Sequence, residues 1–180
     1  LSVHVLDKCM SDLPISTELY NRAMAGNRDA QFELAEIYMQ SDQDAHVELA
    51  EEWALKAAQL GHVEAMYWLG EGYAFYAKDL KEEDPQESKI YFEHAHRWLE
   101  QAAKQQHPAA RLEMASFYRQ GNVVEKDILQ SIQLLGKAAQ LGEIQAMRDL
   151  VAIYEHGLGV EIDDAKADYW VEKAQAAEQD

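Results

Sequence analysis

The sequence repeats itself at spacings of 35, 45 and 36 residues. In each copy a small residue precedes a Leu or Met by four positions, and a Tyr follows four positions after that. The four triplets are Ala30/Leu34/Tyr38, Ala65/Leu69/Tyr73, Ala110/Met114/Tyr118 and Ala146/Leu150/Tyr154. Positions four apart share one face of an α-helix, so each segment is predicted to be a helix.

A second set of segments follows the first, aligned through Ala50, Ala95, Ser131 and Ala167. Three of them carry a Trp three residues later, at Trp53, Trp98 and Trp170, and the remaining copy has Leu134. Gly61 and Gly142 come just after this second segment, where a helix commonly ends in a left-handed glycine. Each unit is therefore predicted as helix, turn, helix and tight turn, and periods of this length indicate stacked helical hairpins.

The last unit carries a motif that is specific to one family. Its residues are Ala146, Leu150, Tyr154, Gly157, Leu158, Gly159, Val160, Asp163, Lys166, Ala167, Trp170, Lys173 and Ala174. This pattern resembles the Sel1-like repeat (SLR), a relative of the tetratricopeptide repeat, over the chain from about Ala30 to its end. The resemblance implies an all-α fold, a right-handed α-solenoid (superhelix) of stacked antiparallel helix pairs. The other copies depart from the pattern. Only Gly70 keeps the glycine that follows the repeat Leu, and the first three copies lack a counterpart of the Gly-Leu-Gly-Val segment at 157–160.

The repeats predict the organisation of the chain. We expect an N-terminal helical segment with a degenerate half-repeat at 1–29, repeat 1 at 30–64, repeat 2 at 65–109, repeat 3 at 110–145 and repeat 4 at 146–180. Repeat 2 contains an acidic insertion at about 78–89, within which Asp84 and Pro85 are predicted to begin a helix. The insertion is either a lip that contacts a partner or an inert acidic loop.

The charge of the chain limits its partners. Asp and Glu number 33 against 16 Lys and Arg, a formal net charge of -17. This charge repels phosphate backbones and anionic lipids, so we expect no nucleic-acid partner. No stretch approaches the roughly eighteen apolar residues that a membrane span needs, so we expect no membrane insertion. A basic partner is compatible with it, although solubility alone would also explain the charge. Cys9 is the single cysteine, which excludes an intramolecular disulfide.

No arrangement of catalytic or metal-binding residues is recognised. His94, His96 and His107 form the densest histidine group, but residues two apart on a helix point in different directions and cannot easily share an ion. Hydrolase and phosphate-loop motifs are absent from the sequence. Cysteine-rich members of the family have been associated with enzymatic activity, and this chain resembles the cysteine-free adaptors instead. We therefore predict no enzyme activity, no metal and no cofactor.

The resemblance implies a monomeric protein-interaction scaffold or adaptor from a bacterium, which binds a partner peptide or helix in a concave groove. No signal peptide is recognised, and the resemblance favours periplasm or envelope slightly over cytoplasm. The register of the first helices predicts these groove residues: Phe32, Glu36, Met39, Tyr67, Glu71, Phe75, Leu112, Arg119, Arg148 and Glu155. The alternatives are an inhibitory or immunity protein that caps a basic enzyme or toxin, and a cell-wall glycan-binding module.

Overall fold

The structure, a computed structural model, describes residues 13–41 and 43–179. Nine α-helices and no strands occur in these residues. They are α1 (Thr17–Met24), α2 (Arg28–Met39), α3 (Asp44–Gln59), α4 (Val63–Asp79), α5 (Pro85–Lys104), α6 (Pro108–Gln120), α7 (Ile128–Ala139), α8 (Ile144–His156) and α9 (Asp164–Ala177). Cys9 and the first part of the predicted segment 1–29 lie outside the described residues.

The helix boundaries follow from residues that satisfy the free backbone groups at helix ends. The Asp84 carboxylate accepts hydrogen bonds from the backbone N–H groups of Gln86 and Glu87, and Pro85 occupies the first turn of α5. This confirms the predicted start of that helix. At the C-terminal ends of α3 and α7, Gly61 and Gly142 have φ of +87° and +91°, a left-handed conformation that favours glycine. Both glycines close the second helix of their unit, as expected.

The acidic insertion in repeat 2 is mostly helical. It lengthens both helices of that hairpin, so that α4 has 17 residues and α5 has 20, and only residues 80–84 connect them. The buried Ser88 hydroxyl donates a 2.6 Å hydrogen bond to the backbone oxygen of Ala77, which fastens the added turn of α5 to the end of α4. The insertion is therefore built into an extended helical hairpin.

The described residues form two compact units, one ending at Leu69 and the other starting at Gly70. In the first unit, Leu34, Tyr38 and Trp53 are buried. The ring of Tyr20 in α1 meets Trp53 edge-on at 6.2 Å, so the helix before repeat 1 covers that repeat's tryptophan. The small alanine that starts each repeat triplet allows this close packing, because its side chain adds little bulk between helices.

The second unit has its own core. Leu99, Met114, Leu135 and Leu150 are buried in it. Ser131, which stands where the three other copies have a buried Ala, donates a 2.7 Å hydrogen bond to the backbone oxygen of Ala115. No helix in the described part of the chain is long and apolar enough to cross a bilayer.

Candidate functional site

Aromatic side chains gather on the extended hairpin of repeat 2. Tyr73, Phe75 and Tyr76 lie on α4, and Tyr91 and His94 lie on α5; we call these five residues the aromatic cluster. The ring of Tyr91 lies 6.1 Å from Tyr73 and 6.0 Å from Tyr76, and Tyr73 is 5.5 Å from His94. Phe75 contacts Tyr76 edge-on at 6.0 Å. The cluster thus links the two helices through a continuous set of ring contacts.

Much of this apolar surface is open to solvent. Phe75 is 68% exposed and Tyr76 is 50% exposed. Burying such rings away from water lowers the free energy. Neighbouring exposed aromatic residues therefore mark a surface that a partner can cover.

Acidic side chains are frequent in the sequence next to the aromatic cluster. Glu71 lies one helical turn before Phe75, and segment 78–89 holds five carboxylates against three lysines. The five carboxylates, all exposed, belong to Asp79, Glu82, Glu83, Asp84 and Glu87. Aromatic faces and carboxylates both attract cations, because the ring quadrupole is negative above its plane. The hairpin is therefore chemically suited to Lys and Arg side chains.

Glu113, on α6, is a partly buried carboxyl group close to the extended hairpin. Burial raises the pKa of Glu113, the nearby Lys78 ammonium opposes that rise, and the Glu71 carboxylate adds to it. Ala74, Lys78, Phe92 and Glu113 contribute to the lining of a hollow of about 10 Å³. That volume holds about one water molecule, so this hollow is too small for a substrate.

The structure corrects the placement of Phe32 among the predicted groove residues. Phe32 is only 7% exposed, and its ring lies 4.6 Å from the ring of His62 in the turn after α3. It packs inside the first unit and offers no open surface to a partner. Tyr67 is partly buried, whereas Glu36 and Met39 are exposed.

In the second unit the predicted residues separate into different environments. Arg119 forms a 3.1 Å ion pair with Asp149, and Arg148 forms a 2.6 Å ion pair with Glu178 beyond the end of α9. The two arginines are thus engaged with different partners and do not form one basic patch. The remaining predicted residues are Leu112, which packs against the core, and the exposed Glu71, Phe75 and Glu155.

The histidines act locally. The Nδ1 atoms of His62 and His107 accept hydrogen bonds from the backbone N–H groups of Ala65 and Ala110, at 3.1 and 3.2 Å, so both cap the helices that follow. Burial lowers the pKa of His62, and the Asp29 carboxylate opposes that shift. Within the described residues, no three His, Cys, Asp or Glu side chains are grouped closely enough to hold a metal ion.

Sequence reasoning singled out Phe75 but missed Tyr76, Tyr91 and Glu113. Tyr76 falls at no recurring repeat position, and an aromatic residue without a counterpart in the other copies is not needed for the common core. Tyr91 aligns with His46, Asp127 and Asp163, and only His46 carries a ring there. Glu113 gave no such signal, since its burial depends on neighbouring helices.

The buried repeat positions and paired helices define an all-α helical-repeat protein. The profile of the Sel1 repeat matches residues 28–62, 63–107, 108–143 and 144–179. The chain therefore belongs to the Sel1 repeat family, whose members are generally protein-interaction scaffolds without enzymatic activity. No curated protein matches the chain at a significant level.

Solved structures with the same fold include proteins from three bacteria. A protective antigen of uropathogenic Escherichia coli that displays an SLR fold is 28% identical, with a TM-score of 0.67 over 89% of this chain and 36% of its own. A Sel1 repeat protein from Oxalobacter formigenes is 26% identical, with a TM-score of 0.72 over 88% and 61%. One from Klebsiella pneumoniae is 26% identical, with a TM-score of 0.56 over 89% and 73%.

These similarities establish the fold class as an all-α repeat solenoid. The chain spans about a third of the length of the E. coli structure and less than two thirds of the Oxalobacter structure.

Proposed function

We propose that this chain is a non-enzymatic protein-interaction scaffold that binds a basic peptide or helix of its partner at the aromatic cluster. The observation that carries the proposal is the exposure of Phe75 and Tyr76 on a hairpin rich in carboxylates. Membership of a family of interaction scaffolds supports the general role. Of the residues predicted from sequence, Glu71 and Phe75 belong to this surface.

The physical basis is a combination of apolar burial and charge attraction. Interface hot spots are enriched in aromatic residues that become fully desolvated in the complex. A Lys or Arg placed over an aromatic face contributes about 0.5–1 kcal/mol when exposed and about 2 kcal/mol when desolvated. The exposed carboxylates of the hairpin attract the same basic partner from a distance and orient it, an effect that weakens as salt is added.

The test uses fluorescently labelled helical peptides that contain Leu and Arg residues, and matched peptides in which Gln replaces every Arg. Fluorescence anisotropy measures their binding to the full chain. We expect the Arg peptides to bind more tightly, and we expect Phe75→Ala and Tyr76→Ala each to weaken binding by about tenfold, the loss typical of a hot-spot truncation. Added salt is expected to weaken the wild-type interaction.

Tyr169→Ala provides the matched control. Tyr169 is also 50% exposed but lies on α9, so its loss removes a comparable exposed ring elsewhere. Equal losses from Tyr76→Ala and Tyr169→Ala, or equal binding of the Arg and Gln peptides, would contradict the proposed surface. A photo-crosslinking amino acid at position 75 then identifies the natural partner in cells of the source organism.

A further inference from the structure

A second feature of the molecule is a cavity of about 300 Å³ between α5, α6 and α7. It is much larger than the hollow beside Glu113, and it reaches the lower end of the size range of small-molecule sites. Its lining residues are Glu100, Ala103, Lys104, Arg111, Met114, Tyr118, Gln130, Leu134 and Lys137. All of them belong to the second compact unit.

The cavity lies where the repeat lacks its tryptophan. Leu134 occupies the position that the other three copies fill with Trp53, Trp98 and Trp170. In repeat 1 the Lys56 ammonium lies 4.1 Å from the centre of the Trp53 ring. Lys137 is the counterpart of Lys56, but the residue one turn before it is Leu134, which has no aromatic face. A leucine side chain is smaller than an indole ring, and Leu134 lines the cavity.

A second repeat position also changes at this site. Arg111 stands where two other copies have Met66 and Met147, so a cation replaces an apolar side chain beside the cavity. Its guanidinium donates to the backbone oxygens of Ala103 at 3.4 Å and Lys137 at 3.5 Å. These long hydrogen bonds place the guanidinium between α5 and α7.

The cavity concentrates positive charge in a strongly acidic chain. Lys104, Arg111 and Lys137 line it, with Glu100 as the single carboxylate, and Glu100 is engaged with Lys104 at 2.9 Å. Within the described residues, neither Arg111 nor Lys137 forms an ion pair. In a chain with 33 acidic and 16 basic residues, two cations without a carboxylate partner beside one cavity are suited to an anionic ligand.

We propose that this cavity binds a compact aromatic carboxylate, with the ring in the space left by the missing tryptophan and the carboxylate against Arg111 and Lys137. Met114 and Leu134 supply apolar contact for the ring. Tyr118 and Gln130 add polar groups to the lining. The same chemistry occurs in a free aromatic acid and at the end of a peptide whose C-terminal residue is aromatic.

The test measures binding of indole-3-propionate to the full chain by isothermal titration calorimetry, with the uncharged indole-3-propionamide as the matched ligand. A Gly-Gly-Trp peptide with a free carboxylate, and its C-terminal amide, form the second arm. We expect at least one of the two acids to bind and to bind more tightly than its amide. The acid that binds more tightly indicates whether the natural ligand is a free aromatic acid or the C-terminus of a peptide.

The variants use residues that other repeats already accept. Leu134→Trp restores the common tryptophan and is expected to fold and to abolish binding by filling the cavity. Arg111→Met introduces the residue of two other copies and should weaken binding on the order of tenfold, the loss expected for a charged hydrogen bond. Lys56→Gln, at the counterpart of Lys137 in repeat 1, should leave binding unchanged.

Circular dichroism and thermal unfolding establish that each variant is folded. Absence of binding by both acids would overturn the proposal, and so would binding that survives in a folded Leu134→Trp variant. Equal affinity for acid and amide would overturn the assignment of Arg111 and Lys137 as the anion contact. The Phe75→Ala variant should bind these ligands normally, so a failure here is distinguishable from a failure of the proposed partner surface.

Discussion

Gly70 lies in α4 where that helix passes very close to α5. A Cβ atom added at Gly70 would lie 2.6 Å from Cγ and 2.9 Å from Cδ2 of Leu99, and 3.2 Å from the Leu99 backbone nitrogen. Leu99 is fully buried, so its side chain has little freedom to move aside. Two residues further along the same helix, a Cβ added at Gly72 would meet nothing within 4 Å. The two glycines form a matched pair that separates packing from helix propensity.

Opposing effects determine the result of Gly70→Ala. Replacing a helix-interior Gly with Ala stabilises by about 0.5–1 kcal/mol, because Gly loses more backbone freedom on folding. Inserting a methyl group into a well-packed interface costs roughly 1–3 kcal/mol. We therefore expect Gly70→Ala to lower the free energy of unfolding by about 1–2 kcal/mol, whereas Gly72→Ala raises it by about 0.5–1 kcal/mol.

Thermal unfolding followed by circular dichroism measures both variants. With a shift of about 2–4 °C per kcal/mol for a chain of this size, Gly70→Ala should lower Tm by roughly 2–8 °C and Gly72→Ala should raise it by roughly 1–4 °C. In a Leu99→Ala background the penalty for Gly70→Ala should largely disappear, because the two closest atoms, Cγ and Cδ2 of Leu99, are gone. A rise in Tm for Gly70→Ala like that of Gly72→Ala would refute the close approach of the two helices.

Two further predictions concern titrating groups. Because burial lowers the pKa of His62 in the folded chain, the unfolded chain takes up the proton first as pH falls through about 6.5, and stability should decrease below that pH. His62→Asn keeps a side-chain acceptor for the helix cap and should remove this dependence in pH-series unfolding; an unchanged pH profile would contradict it. Because burial raises the pKa of Glu113, its ionisation favours the unfolded chain above about pH 4.3. Glu113→Gln should therefore raise Tm at neutral pH and have little effect at low pH, and a uniform shift at all pH values would point to packing instead.

The helices and many of the core positions could be predicted because they depend on local periodicity. The small residues at the head of each repeat, together with Leu34 and Leu150, are buried as the four-residue spacing predicts. Gly61 and Gly142 end helices because few other residues tolerate their backbone conformation. These features depend only on residues that are close in sequence, within one or two helical turns.

The candidate surfaces were only partly predictable. The predicted groove included Phe32, two residues before Leu34, and Phe75, two residues after Tyr73, yet Phe32 is buried against His62 and Phe75 is exposed. The difference arises from what packs beside each helix, which a single helix pattern does not contain. The segment 78–89 has no counterpart in the other repeats, so repeat alignment could not decide between lip and loop for it.

The sequence by itself determined the family, the all-α repeat fold, the helix caps and the acidic character of the protein, because these depend on residue spacing and composition. Only the tertiary structure decided which side chains meet across helices. It brought Tyr91 against Tyr73 and Tyr76, engaged Arg119 and Arg148 in separate ion pairs, and opened the cavity beside Leu134. These contacts join residues far apart in sequence, and their distances are set by how closely the helices approach one another.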